Sequence, residues 1–316
     1  MQYRKLGTSD LEVSEIALGS WLTFGAGVNP ETAKACVTTA FDSGINFFEA
    51  AGARGRGAAE TLLGGILRDL DRPRDSYVLA TKLLFPADEG GPLSGDFVGQ
   101  QVDASLQRLG TDYVDLYQCQ PYGDDMPIGE IMQALTRVVE SGKVRYIGFS
   151  GWRPDQIRTA METGGVVRFV SSQLEYSLLR RDIETEVLRL CDGYGISQIA
   201  WSPLAQGVLT GKYRPGDEPP PDSRAASTAM NGHMADYMRP EVLASIERLK
   251  GIARHEDVPL PVLSLAWVLR SPAVASAIIG ASKPEQVQQD ASASGVALSH
   301  RTLEMIEAAL AGYDPY

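Results

Sequence analysis

Eight short apolar runs, each followed by a longer amphipathic segment, predict an α/β chain folded as a single (β/α)8 TIM barrel across residues 1–316. Two details support this. The runs are apolar on successive residues, as strands covered on both faces are. The alternative, a doubly wound open sheet binding a dinucleotide, calls for GxGxxG after an early strand. The first run here opens into GSWLTFGAG, which lacks that spacing. No domain linker interrupts the alternation.

Taken in order, QYRKLGTSDLEVS suits an N-terminal β-hairpin that plugs the barrel floor. The expected strands are EIALGSW, INFFE, SYVLATK, YVDLYQ, RYIGFSG, FVSSQLE, SQIAWS and ASAIIG. The first helix is NPETAKACVTTAFDSG. Asn29 can cap it, Pro30 suits its first position, Ala33, Cys36, Val37, Ala40 and Phe41 form the buried stripe, and Gly44 ends it. Further helices are expected near 58–69, 96–109, 127–141, 154–163, 183–194, 240–255 and 284–294, with an extra helical turn at 262–270 before the last strand. A long loop follows strand seven, over 203–236, and contains RPGDEPPPDS. A loop of that length in a compact domain is usually a functional lid or partly disordered.

Net charge is −11, which disfavours nucleic acid and anionic membrane as partners. Three scattered cysteines, Cys36, Cys119 and Cys191, contain no CxxC pair, so neither a disulfide framework nor a structural zinc site is expected. No apolar run reaches transmembrane length and MQYRKLGTSDLEV has no apolar signal core. The expectation is a cytoplasmic protein with a small-molecule substrate and no metal; a homo-oligomer is compatible with the sequence.

In such a barrel the chemistry sits at the C-terminal ends of the strands. The groups found there are Trp21, Glu49, Lys82, Gln118 to Tyr122, Ser150 to Trp152, Gln173, Trp201 with Ser202, and Gly280 to Lys283. Singly, each has a plain reading: a lysine after a strand is usually a solvated charge, a tryptophan there is usually core. Their convergence on one end is the stronger signal.

Several stretches now resemble one family, the aldo-keto reductases, and within it the branch of potassium-channel beta subunits and many bacterial reductases. They are YRKLGTSDLEVSEIALGSW, GINFFEAA, VLATK, SLQRLGTDYVDLYQ, SGKVRYIGFSGW, SQLEYSLL, WSPLAQGVLTGKY and IIGASKPEQVQQD. The resemblance spans nearly the whole chain. It implies NADPH (NADP+) as cofactor, NADH less so, and carbonyl reduction by hydride transfer. It places Trp201 on the nicotinamide, with Ser150 and Gln173 at the carboxamide. It places Ser202, Pro203, Leu204, Gly207 and Lys212 around the pyrophosphate. Gly280, Ser282 and Lys283 take the ribose phosphate, and Gln286 and Asp290 the adenine. Trp21, Tyr122 and Trp152 border the substrate. A glycine-rich turn and a helix start do suit phosphate, and Lys283 favours a 2′-phosphate. Two positions depart from the pattern: Gly151 and Asp290 stand where asparagine is frequent.

The catalytic pattern departs further. The family has Asp, Tyr, Lys and His; the matching positions here carry Glu49, Arg54, Lys82 and Gln120. The tyrosine donates the proton, and an arginine, with a pKa above about 12, is a poor acid. The beta subunits also have an amide at the histidine position. None of the histidines, His233, His255 and His300, lies in a matching motif. Three functions therefore stand side by side: an NADPH-dependent oxidoreductase with an atypical catalytic site, acting on a small carbonyl, enone or iminium; a non-redox cyclase, dehydratase or lyase on the same scaffold; and a catalytically inactive nucleotide-binding regulatory protein.

Overall fold

The chain begins with an antiparallel hairpin of β1 (Tyr3–Lys5) and β2 (Glu12–Ser14), with Arg4 opposite Val13. The structure is a computed structural model that describes residues 1–21, 23–24, 27–50, 57–83, 95–120, 127–227 and 231–311. After the hairpin come β3 (Ile16–Gly19), α1 (Pro30–Asp42), β4 (Phe47–Glu49), α2 (Ala58–Asp69), β5 (Val78–Leu83) and α3 (Gly95–Leu109). The middle of the chain forms β6 (Val114–Cys119), α4 (Ile128–Glu140), β7 (Val144–Ser150), α5 (Pro154–Glu162), β8 (Phe169–Glu175), α6 (Val187–Gly193) and β9 (Ser197–Trp201). The last part forms α7 (Pro240–His255), α8 (Leu260–Leu269), β10 (Val274–Ile279), α9 (Pro284–Ala291) and α10 (His300–Leu310). Strands β3 to β10 close a barrel of eight parallel strands, with β10 sealing against β3. This is the predicted barrel with its hairpin.

Two cores follow from the alternation of strand side chains. Outward residues meet the helices. Inward residues Ala17, Phe47, Val78, Ala80, Leu116, Val170, Ile199 and Ala275 pack together, and Leu6, Leu11 and Val13 of the hairpin join them from below. Arg4 fixes the hairpin to the barrel: its guanidinium donates to the carbonyls of Ser271 at 2.9 Å, Val274 at 2.6 Å and Leu269 at 2.7 Å, and to Glu15 at 2.8 Å. Gly7 makes the close approach feasible, because a Cβ there would stand 2.1 Å from the carbonyl oxygen of Val170.

The helix expected over 183–194 is shorter, a 3-10 turn at Asp182–Glu184 and then α6. The turn expected at 262–270 is a full helix, α8, with all of its residues buried. The sequence reading had no counterpart to α10, which Ser299 caps by accepting from the Thr302 N–H at 3.0 Å. It follows α9 without an intervening strand, so the strand–helix template did not call for it.

Above the apolar plug the barrel interior turns polar. Gln118 stands in register with Lys82 on one side and Gly148 on the other, and Gly148 with Ser171. A Cβ on Gly148 would lie 2.2 Å from Ser171 Oγ and 2.5 Å from Gln118 Oε1, so only glycine fits between them.

Candidate active site and cofactor cavity

A cavity of about 600 Å³ opens at the C-terminal ends of the strands, between the barrel mouth and the loop after β9. It lies within the range of about 300–1,000 Å³ typical of ligand sites.

At its deep end stand Glu49, the last residue of β4, and Lys82 near the end of β5. Glu49 is 2% exposed. Its Oε1 lies 3.0 Å from Lys82 Nζ, a contact that is an ion pair rather than an aligned hydrogen bond. Gly19 on the neighbouring strand makes room: an added Cβ would press 2.5 Å from Ile278 and stand 3.4 Å from Glu49 Oε2. Gln120, one residue beyond β6, completes this wall of the cavity. Arg54 and Tyr122 lie outside the described residues.

Further along, Trp201 ends β9 and meets Trp21 edge-on, with ring centroids 6.4 Å apart. Ser150 and Gln173 are register partners on β7 and β8. Gln173 is fully buried, and neither atom of its amide has a hydrogen-bond partner among the described residues. A buried amide left open costs about 1–3 kcal/mol, so a ligand carboxamide or an ordered water at this point would offset a real penalty.

The turn after β9 is strained. Ser202, Ala205 and Gln206 hold left-handed backbone at φ 50°, 47° and 58°, followed by Gly207 at 92°. Non-glycine residues in that region cost of order 1–3 kcal/mol each, and such strain clusters at functional sites. The strained turn carries a chain of contacts: Gln206 donates to Ser202 Oγ at 2.6 Å and accepts from the Arg224 guanidinium. Arg224 comes from the long loop, and burial depresses its pKa. Lys212, at the end of the turn, is also lowered, by burial first and then by Arg224. Both line the cavity, so their positive charges are confined where an anion would relieve them.

At the far end Ser282 donates from its backbone N–H to Gln286 Oε1 at 2.8 Å, shaping the start of α9. Lys283 pairs with Asp222 of the long loop at 3.2 Å, both well exposed. Gly280, Gln286, Gln289 and Asp290 line this end. Burial pushes the Asp290 carboxyl up to about 7.

Of the residues expected here, Trp21, Glu49, Lys82, Gln120, Ser150, Trp201 to Leu204, Gly207, Lys212, Gly280, Ser282, Gln286 and Asp290 all line one cavity. Gln173 sits beneath its wall and Lys283 at its rim. Trp152 is a correction. It was expected beside the substrate, but it is 2% exposed, packs against Phe149 and Phe169, and donates its indole N–H to the Cys119 carbonyl at 3.0 Å. The turn after Ser150 carries the ring under the strand ends and into the core. Sequence reasoning missed Gly19, Asp222 and Arg224. The only signal for Arg224 was a lone cation in PPPDSR, inside a stretch whose path no periodicity fixes.

Fold and cavity together define a (β/α)8 barrel with an elongated, cation-lined pocket at the strand ends, ending in a lysine–carboxylate pair. A profile of the Aldo/keto reductase family matches residues 15–311, and the chain belongs to that family. It is similar to a probable voltage-gated potassium channel subunit beta of Oryza sativa subsp. japonica, 36% identical over 98% of this chain and 96% of that one. A protein of the same description from Arabidopsis thaliana is 36% identical over 94% of this chain and 92% of its own length. Among solved structures, a glycerol dehydrogenase of Gluconobacter oxydans superposes with a TM-score of 0.84 at 24% identity, covering 99% of this chain and 96% of that one, a likeness of fold. Among the described residues no helix is long and apolar enough to cross a membrane.

Proposed function

We propose that the chain is an oxidoreductase that binds a nicotinamide dinucleotide in this cavity, NADPH in preference to NADH, and acts on a small carbonyl, enone or iminium compound. The observation that carries the reading is the polarity along the cavity. The buried amide of Gln173, without a partner among the described residues, lies behind the wall beside Ser150, the confined cations Lys212 and Arg224 line the cavity, and Lys283 stands at its rim beside Asp222 and the start of α9. That order matches the carboxamide, pyrophosphate and ribose phosphate of one extended ligand.

Ser150 and Gln173 would orient the carboxamide, and Trp201 would cover the ring face. Lys212 and Arg224 would take the pyrophosphate charge. Lys283 would exchange Asp222 for the ribose phosphate, a low barrier because both partners of that pair are solvated. The bound dinucleotide supplies the hydride. The Lys82 ammonium, steered by Glu49, holds the negative charge developing on the substrate oxygen and hands it a proton. The Gln120 amide can donate a second hydrogen bond there. Enone and iminium substrates suit such a site, because they ask less of a proton donor.

Titrating NADPH while following tryptophan fluorescence and melting temperature tests binding, and NADPH oxidation with aldehydes, ketones and enones tests chemistry. The absence of both quenching and a thermal shift at millimolar NADPH would sink the proposal. The descriptions of the plant relatives favour a second reading, a nucleotide-binding regulatory subunit. Tight NADPH binding with no oxidation by any substrate class, even in a single turnover, would select it.

A further inference from the structure

Between the cavity and the apolar plug, Gln118 on β6, Gly148 on β7 and Ser171 on β8 are register partners at one level of the barrel. Gln118 follows Leu116 of the plug by two residues, so both face the barrel axis. All three positions are buried, and Gln118 and Ser171 are 0% exposed. Both amide atoms of Gln118 and the Ser171 hydroxyl have no hydrogen-bond partner among the described residues. The residues that line the cavity do not include these three, so a ligand held there leaves their polar atoms unanswered. Buried groups of this kind cost about 1–3 kcal/mol each when nothing meets them.

Gly148 has no side chain, and oxygens rim the notch that this leaves. The place a Cβ would take lies 2.2 Å from Ser171 Oγ, 2.5 Å from Gln118 Oε1 and 2.8 Å from the Ser171 carbonyl oxygen. Two oxygens bonded to the same water can stand up to about 5.5 Å apart. Atoms this close to one place cannot be further apart than that. Below the notch the barrel offers only apolar partners, among them Ala80, Leu116, Val170 and Ile199. On the other side of Gln118, its register partner Lys82 is engaged with Glu49.

We propose that the notch at Gly148 is a binding site for one resident water, bridging Gln118 and Ser171 inside the barrel, one level beneath the Glu49–Lys82 pair. The chemistry of the rim selects water. The amide and carbonyl oxygens accept only, and the serine hydroxyl can donate. A water donates to both acceptors and accepts from the hydroxyl, which gives it about three bonds, the usual number for a buried water. The Ser171 carbonyl can keep a ladder bond as well, because it has two lone pairs. An anion would face two acceptors. A cation would find no carboxylate on the rim and the Lys82 ammonium on the next strand. Glycine at 148 is what opens the site, since a methyl group there would press on the same oxygens. The site goes with the fold and does not depend on what the cavity above it binds.

Stability separates a wet notch from a dry one. If the amide of Gln118 and the hydroxyl of Ser171 meet nothing, replacing either by an apolar group of similar shape removes a penalty, and the protein should be as stable or more so. With a water between them, each replacement breaks the bridge. Gln118→Met and Ser171→Ala should then each raise the unfolding constant about tenfold. The double variant should be little worse than either single one, because both changes remove the same water. Single variants no less stable than the unmodified protein, or losses that simply add, would overturn the proposal. A high-resolution crystal structure of the unmodified protein tests it without any variant. It should place a water within hydrogen-bond distance of Gln118 Oε1 and Ser171 Oγ. A notch closed by a direct hydrogen bond between the two side chains, with no water, would overturn it.

Discussion

The two ends of the barrel handle buried polar groups in opposite ways. At the floor Arg4, Glu15 and Asn46 find their partners within the fold. Arg4 reaches three carbonyls and Glu15, and Glu15 also accepts from Ser294 Oγ at 2.8 Å and the Gly295 N–H at 2.9 Å. Asn46 ties β2 to the barrel by accepting from the Ser14 N–H and donating to the Glu12 carbonyl. At the mouth, buried polar atoms have no hydrogen-bond partner among the described residues: Ser20 Oγ, Thr23 Oγ1, both amide atoms of Gln173, and below them both amide atoms of Gln118 and Ser171 Oγ. The strands are continuous from one end to the other, so the contrast comes from side-chain choice alone. A satisfied network stabilises the fold; an open one is left for something else to satisfy. Mutations at the floor should therefore register in stability and those at the mouth in binding or turnover.

The largest effect is expected at the deepest point of the mouth. Lys82→Met removes the group proposed to meet the substrate oxygen, and activity on the true substrate should fall about 10²–10⁴-fold. It also leaves Glu49 buried without its cation, so Lys82→Met combined with Glu49→Gln separates the two consequences. The double variant should melt near the unmodified protein and remain inactive. Full turnover by either variant would remove the pair from the chemistry.

Arg4→Ala is the opposite case. It breaks a half-buried ion pair and several charge-assisted hydrogen bonds, with a side chain 27% exposed on the arginine. Discounted for that exposure, the loss should be about 2–3 kcal/mol in chemical denaturation. NADPH affinity measured well below the melting temperature should not change. A weakened cofactor site in Arg4→Ala would break the division between floor and mouth.

The barrel was legible because it rests on repetition: each strand shows as a short apolar run and most of the helices between strands as a stripe. Most of the cavity was legible because strand ends are fixed by that repetition, and because WSPLAQGVLTGKY and GASKPEQ stand out as glycine-rich turns. What escaped depends on paths that no period sets. Arg224 reaches Gln206 across a loop of prolines and 3-10 turns. Trp152 looked like a pocket residue by its place after β7, but its direction is set by one turn, and that turn buries it. Asp290 was legible as a residue but not as a state. Its acidity reflects the packing around α9, which the sequence does not state.

The mouth should also carry a stability dependence on pH. The Asp290 carboxyl, at about 7, lies above its ordinary value of 3.8. A carboxyl raised in the folded state contributes its stability below the ordinary value, and that contribution is lost as pH rises through about 7. Asp290→Asn removes the loss. The variant should be about 2–3 kcal/mol more stable than the unmodified protein at pH 8 and nearly equal to it at pH 4. Denaturant midpoints at the two pH values measure the difference. A gain that is the same at both would place the effect in packing rather than ionisation.

The smallest effect gives the sharpest contrast, because stability and binding should move in opposite directions. Gln173 is fully buried with its amide nitrogen and oxygen both open among the described residues, beside Ser150 on the neighbouring strand. In the free protein that amide contributes little and carries a desolvation penalty. Gln173→Leu removes the penalty while keeping most of the volume, so it should leave stability unchanged or raise it by about 1 kcal/mol. NADPH affinity should fall, because a carboxamide placed against leucine finds neither donor nor acceptor. The expected loss is about 5–50-fold, the equivalent of roughly 1–2 hydrogen bonds at this depth. Arg4, Glu15 and Asn46 at the floor cannot behave this way: their polar groups already have partners, so removing one costs stability. If Gln173→Leu proves strongly destabilising with NADPH affinity intact, the open amide is held by buried water as part of the fold. The mouth would then be as self-contained as the floor.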